Sequence, residues 1–175
     1  MRSPLIFALL AVLILSSCKQ QGETTTSEEE TATSVYYLIR HAEKDRSDPD
    51  NKDPMLTEEG RARAERWKNY FDTIALDAVY STEYNRTQGT AKPTAAKKDL
   101  AIVTYDVPYA MSTDFRKDTK GKKVLVVGHS NTTPALANAF LGSQRFSDMD
   151  DNDNSSLFVV RISNAEAEVE VITVK

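Results

Sequence analysis

The chain reads as an α/β domain on three observations. Val35-Tyr36-Tyr37-Leu38-Ile39 and Val124-Leu125-Val126-Val127 are unbroken apolar runs of strand length. Such runs fit strands covered on both faces of a sheet. Between and after them lie segments whose apolar residues recur every three or four positions, the helical period. Each run also ends in a histidine, His41 and His129, and these are the only two histidines in the 175 residues. Open α/β sheets place their ligands at the carboxyl ends of the strands, so both histidines leave their strands where a site belongs.

The whole chain sets bounds. A net charge of −4 with no basic cluster gives no support for nucleic-acid binding, so no nucleic-acid partner is expected. The one cysteine, Cys18, excludes an internal disulfide framework and a cysteine-rich metal site. Arg2 begins a short positive segment, and Leu5 to Leu15 is apolar throughout. That run is too short for a bilayer span, which takes about 20 residues. Leu15-Ser16-Ser17-Cys18 resembles the bacterial lipobox, in which cleavage frees a cysteine for acylation. The expected organisation is therefore a signal peptide over 1–17, a tether over 18–34 beginning at lipidated Cys18, and a folded domain over 35–175. The tether carries almost nothing to bury. This implies a protein of the bacterial cell envelope, held to the membrane by its lipid and facing the periplasm.

The elements follow in order. After the first strand, Lys44 to Pro54 is rich in Asp, Asn and Pro and reads as a loop at the rim of the site. Thr57 is a good N-cap, and Glu58 and Glu59 suit the positive end of the helix it opens. Gly60, Ala64, Trp67 and Phe71 give that helix one buried face, with Trp67 as core. Ala75 to Tyr80 is the second strand. Ser81 or Thr82 caps a helix reaching to about Lys97, with Arg86 in its first turns. Ala101 to Thr104 is a short third strand, and Tyr105 to Lys122 a loop with one short helix. Lys123 to Val127 is the fourth strand. Ser130 caps the next helix, Pro134 fits its first turn, and Gly142 ends it. Ser143 to Ser156 is an aspartate-rich solvated loop. Asp148, Asp150, Asp151 and Asp153 fail the EF-hand spacing: the sixth position is Asp153, not glycine, and the twelfth is Val159, not glutamate. Leu157 to Ile162 and Val169 to Val174 close the sheet through a turn at Asn164-Ala165-Glu166, and Tyr36 and Tyr37 pack within the first strand.

Histidine titrates near neutrality and accepts a phosphoryl group when neutral. A phosphoryl group in transfer carries spread negative charge, which the planar fork of arginine matches. His41 with Arg40 beside it, Arg86 and His129 all fall at strand-to-helix turns, which can converge at one sheet edge.

Taken together, Arg40-His41-Ala42-Glu43, Leu56-Thr57-Glu58-Glu59-Gly60, Ser81-Thr82-Glu83-Tyr84-Asn85-Arg86-Thr87 and Gly128-His129-Ser130-Asn131-Thr132 resemble the histidine phosphatase superfamily, which includes the cofactor-dependent phosphoglycerate mutases. The resemblance implies a phosphoglycerate mutase-like three-layer sandwich, a mostly parallel central sheet with helices on both faces. It implies His41 as the nucleophile that becomes phosphohistidine. Arg40, Arg86 and His129 would form the phosphate pocket, with Ser130 and Asn131 at the substrate. It implies no metal and no organic cofactor. Two departures stand out. Ala42 replaces the usual glycine, and the glutamate that protonates the leaving group has no recognisable context. Asp106 and Glu43 are the candidates for that proton donor.

A weak acid would tilt the substrate toward phosphoramidates such as phosphohistidine in a phosphoprotein. The short domain, with no room for a large lid, tilts the same way, toward the small phosphohistidine phosphatases. Export points instead to a phosphorylated small molecule, so the substrate class stays open. Two alternatives keep the same fold: a non-catalytic module that binds a phosphorylated ligand, and a phosphomutase.

Overall fold

The computed structural model describes residues 32–175. The signal peptide, Cys18 and most of the tether lie outside the described residues. Strand β1 spans Ser34–Arg40, so Ser34, assigned above to the tether, already belongs to the sheet. Helix α1 (Glu58–Tyr70) runs into a 3-10 turn at Phe71–Thr73. Strand β2 (Ala78–Ser81) leads to helix α2 (Asn85–Lys97) and strand β3 (Ile102–Thr104). Two short helices follow where one was expected, α3 (Val107–Ala110) and α4 (Thr113–Asp118), capped by the side chains of Asp106 and Ser112. Strand β4 (Lys123–Gly128), helix α5 (Thr132–Leu141) and the strands β5 (Ser156–Ser163) and β6 (Glu166–Thr173) complete the domain.

The six strands form one sheet in the order β3-β2-β4-β1-β5-β6. β3, β2, β4 and β1 are mutually parallel, while β5 runs antiparallel to β1 and pairs with β6 as a hairpin. The turn between them carries Asn164 and Ala165 at φ 52° and 65°. Two such residues in succession match the right-handed twist of a two-residue hairpin.

The apolar runs are covered on both sides, as their composition demands. Alternate residues of β1 and β4 divide between two cores. Tyr36, Leu38, Val124 and Val126 pack with Phe115 and Phe140 from α4 and α5. Val35, Ile39, Leu125 and Val127 pack with Trp67, Phe71, Ala91 and Ala95 on the α1–α2 side. This is the two-residue period of a strand read against helices on both faces, a three-layer sandwich. Burying a side chain such as Leu38 or Ile39 is worth about 1.5–3 kcal/mol. These central strands therefore form a rigid floor for whatever stands at their ends.

Two helix starts differ from expectation. Ser81 is buried on the strand and donates to the carbonyl of Thr82. Thr82 also lies before the helix, and its hydroxyl is engaged elsewhere. Helix α2 starts at Asn85, whose backbone N–H donates 2.8 Å to Asp53 Oδ1. A carboxylate from the loop before α1 thus does the work of a local cap. Ser130 does not cap α5, whose first turn instead holds Thr132, with Oγ1 accepting from the His129 N–H at 2.9 Å.

Candidate active site

The parallel strands β2, β4 and β1 are neighbours, and their carboxyl ends bring three turns together. β4 lies between the other two, with Arg40 paired to Gly128 and Ser81 to Val127. The His41 N–H continues the ladder to the Gly128 carbonyl at 3.0 Å. A side chain at position 128 would collide, since a Cβ there would lie 2.8 Å from Thr132 Oγ1. The small residue is what lets β4 turn so tightly into α5.

The rings of His41 and His129 stand 5.5 Å apart, edge to face. His41 is 4% exposed. Its Nδ1 lies 2.8 Å from the Ala42 carbonyl oxygen. A carbonyl can only accept, so Nδ1 carries the ring proton and Nε2 keeps its lone pair. Burial, opposed by the Ala42 hydrogen bond and reinforced by Arg40, His129 and Arg86, holds the ring's pKa down to about 3. Burial together with Arg86, Lys44 and Arg40 holds His129 to about 4. Both imidazoles are therefore neutral near pH 7.

Hydroxyl accounting fixes the tautomer of His129. Thr87 Oγ1 lies 2.9 Å from the Thr82 carbonyl and 3.0 Å from that of Tyr84, so its one proton is committed to backbone. Its oxygen accepts from Thr82 Oγ1 at 3.0 Å. The Thr82 oxygen is then left to accept from His129 Nε2, also at 3.0 Å. His129 thus carries its proton on Nε2. Tyr84 stands edge-on to the His129 ring at 5.1 Å, and the Arg86 guanidinium lies 4.3 Å over the tyrosine face.

The two arginines are held differently. Arg40 is 2% exposed, and loop residues 150–153 grip it. Its Nη1 donates to the carbonyls of Asp150 and Asp153, and Nη2 to Asp151 Oδ1. Asp151 Oδ2 takes Arg46 at 2.8 Å. Asn154, from the same loop, donates 2.8 Å to the His41 carbonyl. This loop, expected to be merely solvated, is the back plate of the site. Arg86 makes only long contacts, 3.4 Å to the Lys52 carbonyl and 3.5 Å to Asp53 Oδ1. Buried Nε atoms of both arginines lack a partner among the described residues.

The candidate proton donors separate. Asp106 lines a cleft of about 740 Å³ with Arg86, His129, Tyr84 and Asn131. Glu43 lines a smaller polar hollow of about 260 Å³ beside His41, but its Oε1 is taken by Arg63 Nε at 2.7 Å. Its backbone is crowded as well: a Cβ on Gly60 of α1 would lie 2.1 Å from the Glu43 carbonyl oxygen, so α1 can approach there only through a glycine. Of the two expected substrate-contact residues, Asn131 lines the cleft. Ser130 does not, and its carbonyl accepts from the Met149 N–H.

Residues missed in the sequence are Lys44, Asp53, Thr82, Thr90, Asp151 and Asn154. Thr90 carries a signal that could have been read. Thr87, Thr90 and Thr94 recur at helical spacing beside Ala91 and Ala95, and all five are buried. Thr90 Oγ1 accepts from the Ala42 N–H at 2.8 Å and donates to the Arg86 carbonyl at 2.7 Å, tying the two arginine-bearing turns together.

With this geometry in place, the comparisons fall into line. Residues 36–106 match the histidine phosphatase superfamily, branch 1. This segment carries the chain's likeness to that family. It holds Arg40, His41, Arg86 and Asp106, and the remainder of the fold delivers His129. No curated protein matches the chain. Solved structures agree with the fold over most of it. The phosphoglycerate mutase from Bacillus anthracis is 13% identical at a TM-score of 0.63, covering 81% of this chain and 93% of its own. The mycobacterial glucosyl-3-phosphoglycerate phosphatase is 13% identical at 0.63, covering 82% and 100%. The protein histidine phosphatase SixA, solved with tungstate, is 13% identical at 0.62, covering 79% and 96%. Identities this low speak for the fold alone. Length does not separate a phosphohistidine phosphatase from a sugar-phosphate phosphatase or a mutase here, because all three neighbours are spanned almost completely.

Proposed function

We propose that the protein is a phosphatase that hydrolyses a phosphomonoester or a phosphoramidate through a phosphohistidine on His41. One observation carries this reading. His41 is buried and neutral, its Nδ1 proton is tied to the Ala42 carbonyl, and its Nε2 lone pair remains available next to His129 and two arginines. In the first step Nε2 attacks phosphorus. A P–N bond forms as the bond from phosphorus to the leaving oxygen or nitrogen breaks, and the leaving atom takes a proton. Arg40 and Arg86 stabilise the charge on the phosphoryl oxygens. In the second step water attacks phosphorus, the P–Nε2 bond breaks, and inorganic phosphate departs from a neutral imidazole. No step requires a metal or an organic cofactor. Asp106, in the cleft with Arg86 and His129, serves as the acid for an alcohol leaving group. A nitrogen leaving group can arrive already protonated and depends on it less.

The test is hydrolysis of p-nitrophenyl phosphate and of a phosphoramidate by the purified protein, between about pH 5 and 8. It is paired with trapping of an acid-labile phosphoenzyme. Activity lost in His41→Ala, with the label at position 41, is expected. No turnover by the native protein, or full turnover by the variant, overturns the reading. Phosphate binding without any trapped phosphohistidine would favour a non-catalytic phosphate-binding module, a reading that the engagement of Glu43 by Arg63 keeps open. We further propose that Cys18 is acylated after export, which places the enzyme in the cell envelope. Labelled palmitate that still enters Cys18→Ser would refute that.

A further inference from the structure

We infer that Lys44 is a substrate-binding cation of this site, which joins Arg40 and Arg86 in holding a tetrahedral oxyanion. The inference rests on the phosphatase reading for its ligand and on Lys44's own surroundings for its residue. Lys44 stands three positions past His41, where the chain leaves β1. Its backbone is fixed by a bridge to Leu56, flanked by Thr57 N–H to the Glu43 carbonyl at 2.9 Å and Asp45 N–H to the Met55 carbonyl at 2.8 Å. The side chain is half-buried and lines the polar hollow that His41 also lines.

The hollow is lined by three cations, Lys44, Arg46 and Arg63, and three carboxylates, Glu43, Glu59 and Asp151, but Lys44 is the cation left out of the pairing. Arg40 and Arg46 share Asp151, Arg63 has Glu43, and Arg86 has Asp53. Lys44 has no carboxylate within 4.0 Å among the described residues, although Glu59 lines the same hollow. Burial lowers its pKa first, then Arg86, Arg46 and Arg40, with Asp151 opposing. Its own charge in turn helps to depress His129. A lysine stem is flexible and its head strongly hydrated, so a lysine with no task would swing to water or to a carboxylate. Lys44 instead lines the hollow beside His41 with Arg46 and Arg63 and without a carboxylate of its own, a local inconsistency of the kind that functional positions show. A bound anion resolves it. The chemistry also divides sensibly: the arginine forks fix a planar pair of oxygens, while three rotatable ammonium donors adapt to an oxygen outside that plane.

The experiment compares the native protein with Lys44→Met and Lys44→Arg, using tungstate binding by calorimetry and melting temperature with and without tungstate. Lys44→Met should weaken tungstate binding about 10- to 100-fold, as expected for the loss of one charge-assisted bond. It should also raise the melting temperature by about 2–4 °C when no oxyanion is present, because a like-charge conflict has been removed. Lys44→Arg should restore most of the binding. A Lys44→Met affinity within about twofold of native overturns the inference, and a lowered melting temperature with unchanged affinity would make Lys44 structural. If the native protein binds tungstate in a Lys44-dependent way yet never turns over a phosphorylated substrate, the hydrolytic reading fails and this one stands. If the native protein binds no tungstate, both fail.

Discussion

Arg40 and Arg86 both bear on the same two histidines and are treated in opposite ways. Arg40 is sealed in, with both terminal nitrogens bonded to residues 150–153. Arg86 is 11% exposed in its side chain and rests on contacts of 3.4 Å or more. One cation is part of the scaffold, and the other is left adjustable at the mouth of the cleft. The difference suggests that the phosphoryl group is gripped from a fixed side and that the leaving group is accommodated on the Arg86 side, where Tyr84 and Asp106 stand.

That contrast can be broken at its strong end first. Arg40→Ala should lower kcat/KM by about a thousandfold, because a preorganised donor to the transition state is lost. It should also reduce stability by about 1–3 kcal/mol, since the part-buried bonds from the guanidinium to the carbonyls of Asp150 and Asp153 are lost. Arg86→Ala should cost about a hundredfold in kcat/KM with a melting temperature within about 2 °C of native. Equal destabilisation by the two variants would erase the distinction. Thr82→Val removes the acceptor at His129 Nε2 and should cost about tenfold in kcat. Its signature is spectroscopic: nitrogen shifts of His129 should move from a single Nε2–H tautomer to a mixture, and an unchanged tautomer would refute the hydroxyl accounting. Asp151→Asn should act least, because this carboxylate is 68% exposed. Its bond to Arg46 and then to Arg40 holds its pKa at about 2, yet its pair with the exposed Arg46 contributes about 0–1 kcal/mol and Arg40 keeps its two carbonyl acceptors.

A pH series sharpens the comparison without mutation. In the folded state His41 and His129 stay neutral down to about 3 and 4, against an ordinary value of 6.5. In the interval between those values the unfolded chain binds more protons than the folded one. Stability is therefore complete above about pH 7 and falls as the solution is acidified toward pH 4. His129→Gln should lose less melting temperature across that interval, by about 5 °C. A native acid limb no steeper than the variant's would show that the His129 ring is not desolvated.

The fold was legible because its information is local. Apolar runs long enough for strands, the Thr57 cap and the Gly60-Ala64-Trp67-Phe71 stripe each report their own element. The two histidines and both arginines were legible because strand ends are where sites collect. The clamp on Arg40 was not, since an aspartate-rich loop looks the same whether it faces water or closes over a guanidinium. Its grip is mostly through the carbonyls of Asp150 and Asp153, which every residue possesses. The caps were misassigned for a related reason. Thr82 is a good capping residue in isolation, but its hydroxyl is claimed by Thr87 and His129, while Asp53 supplies the acceptor from far along the chain.

β1 carries one more implication. It begins at Ser34, at the end of the strands remote from the histidines, and its seven residues carry the chain about 23 Å to the histidine end. Anything attached upstream of Ser34 joins the domain from behind. An attachment there would leave the histidine end of the sheet clear. Cutting such an attachment would leave turnover of a water-soluble ester unchanged.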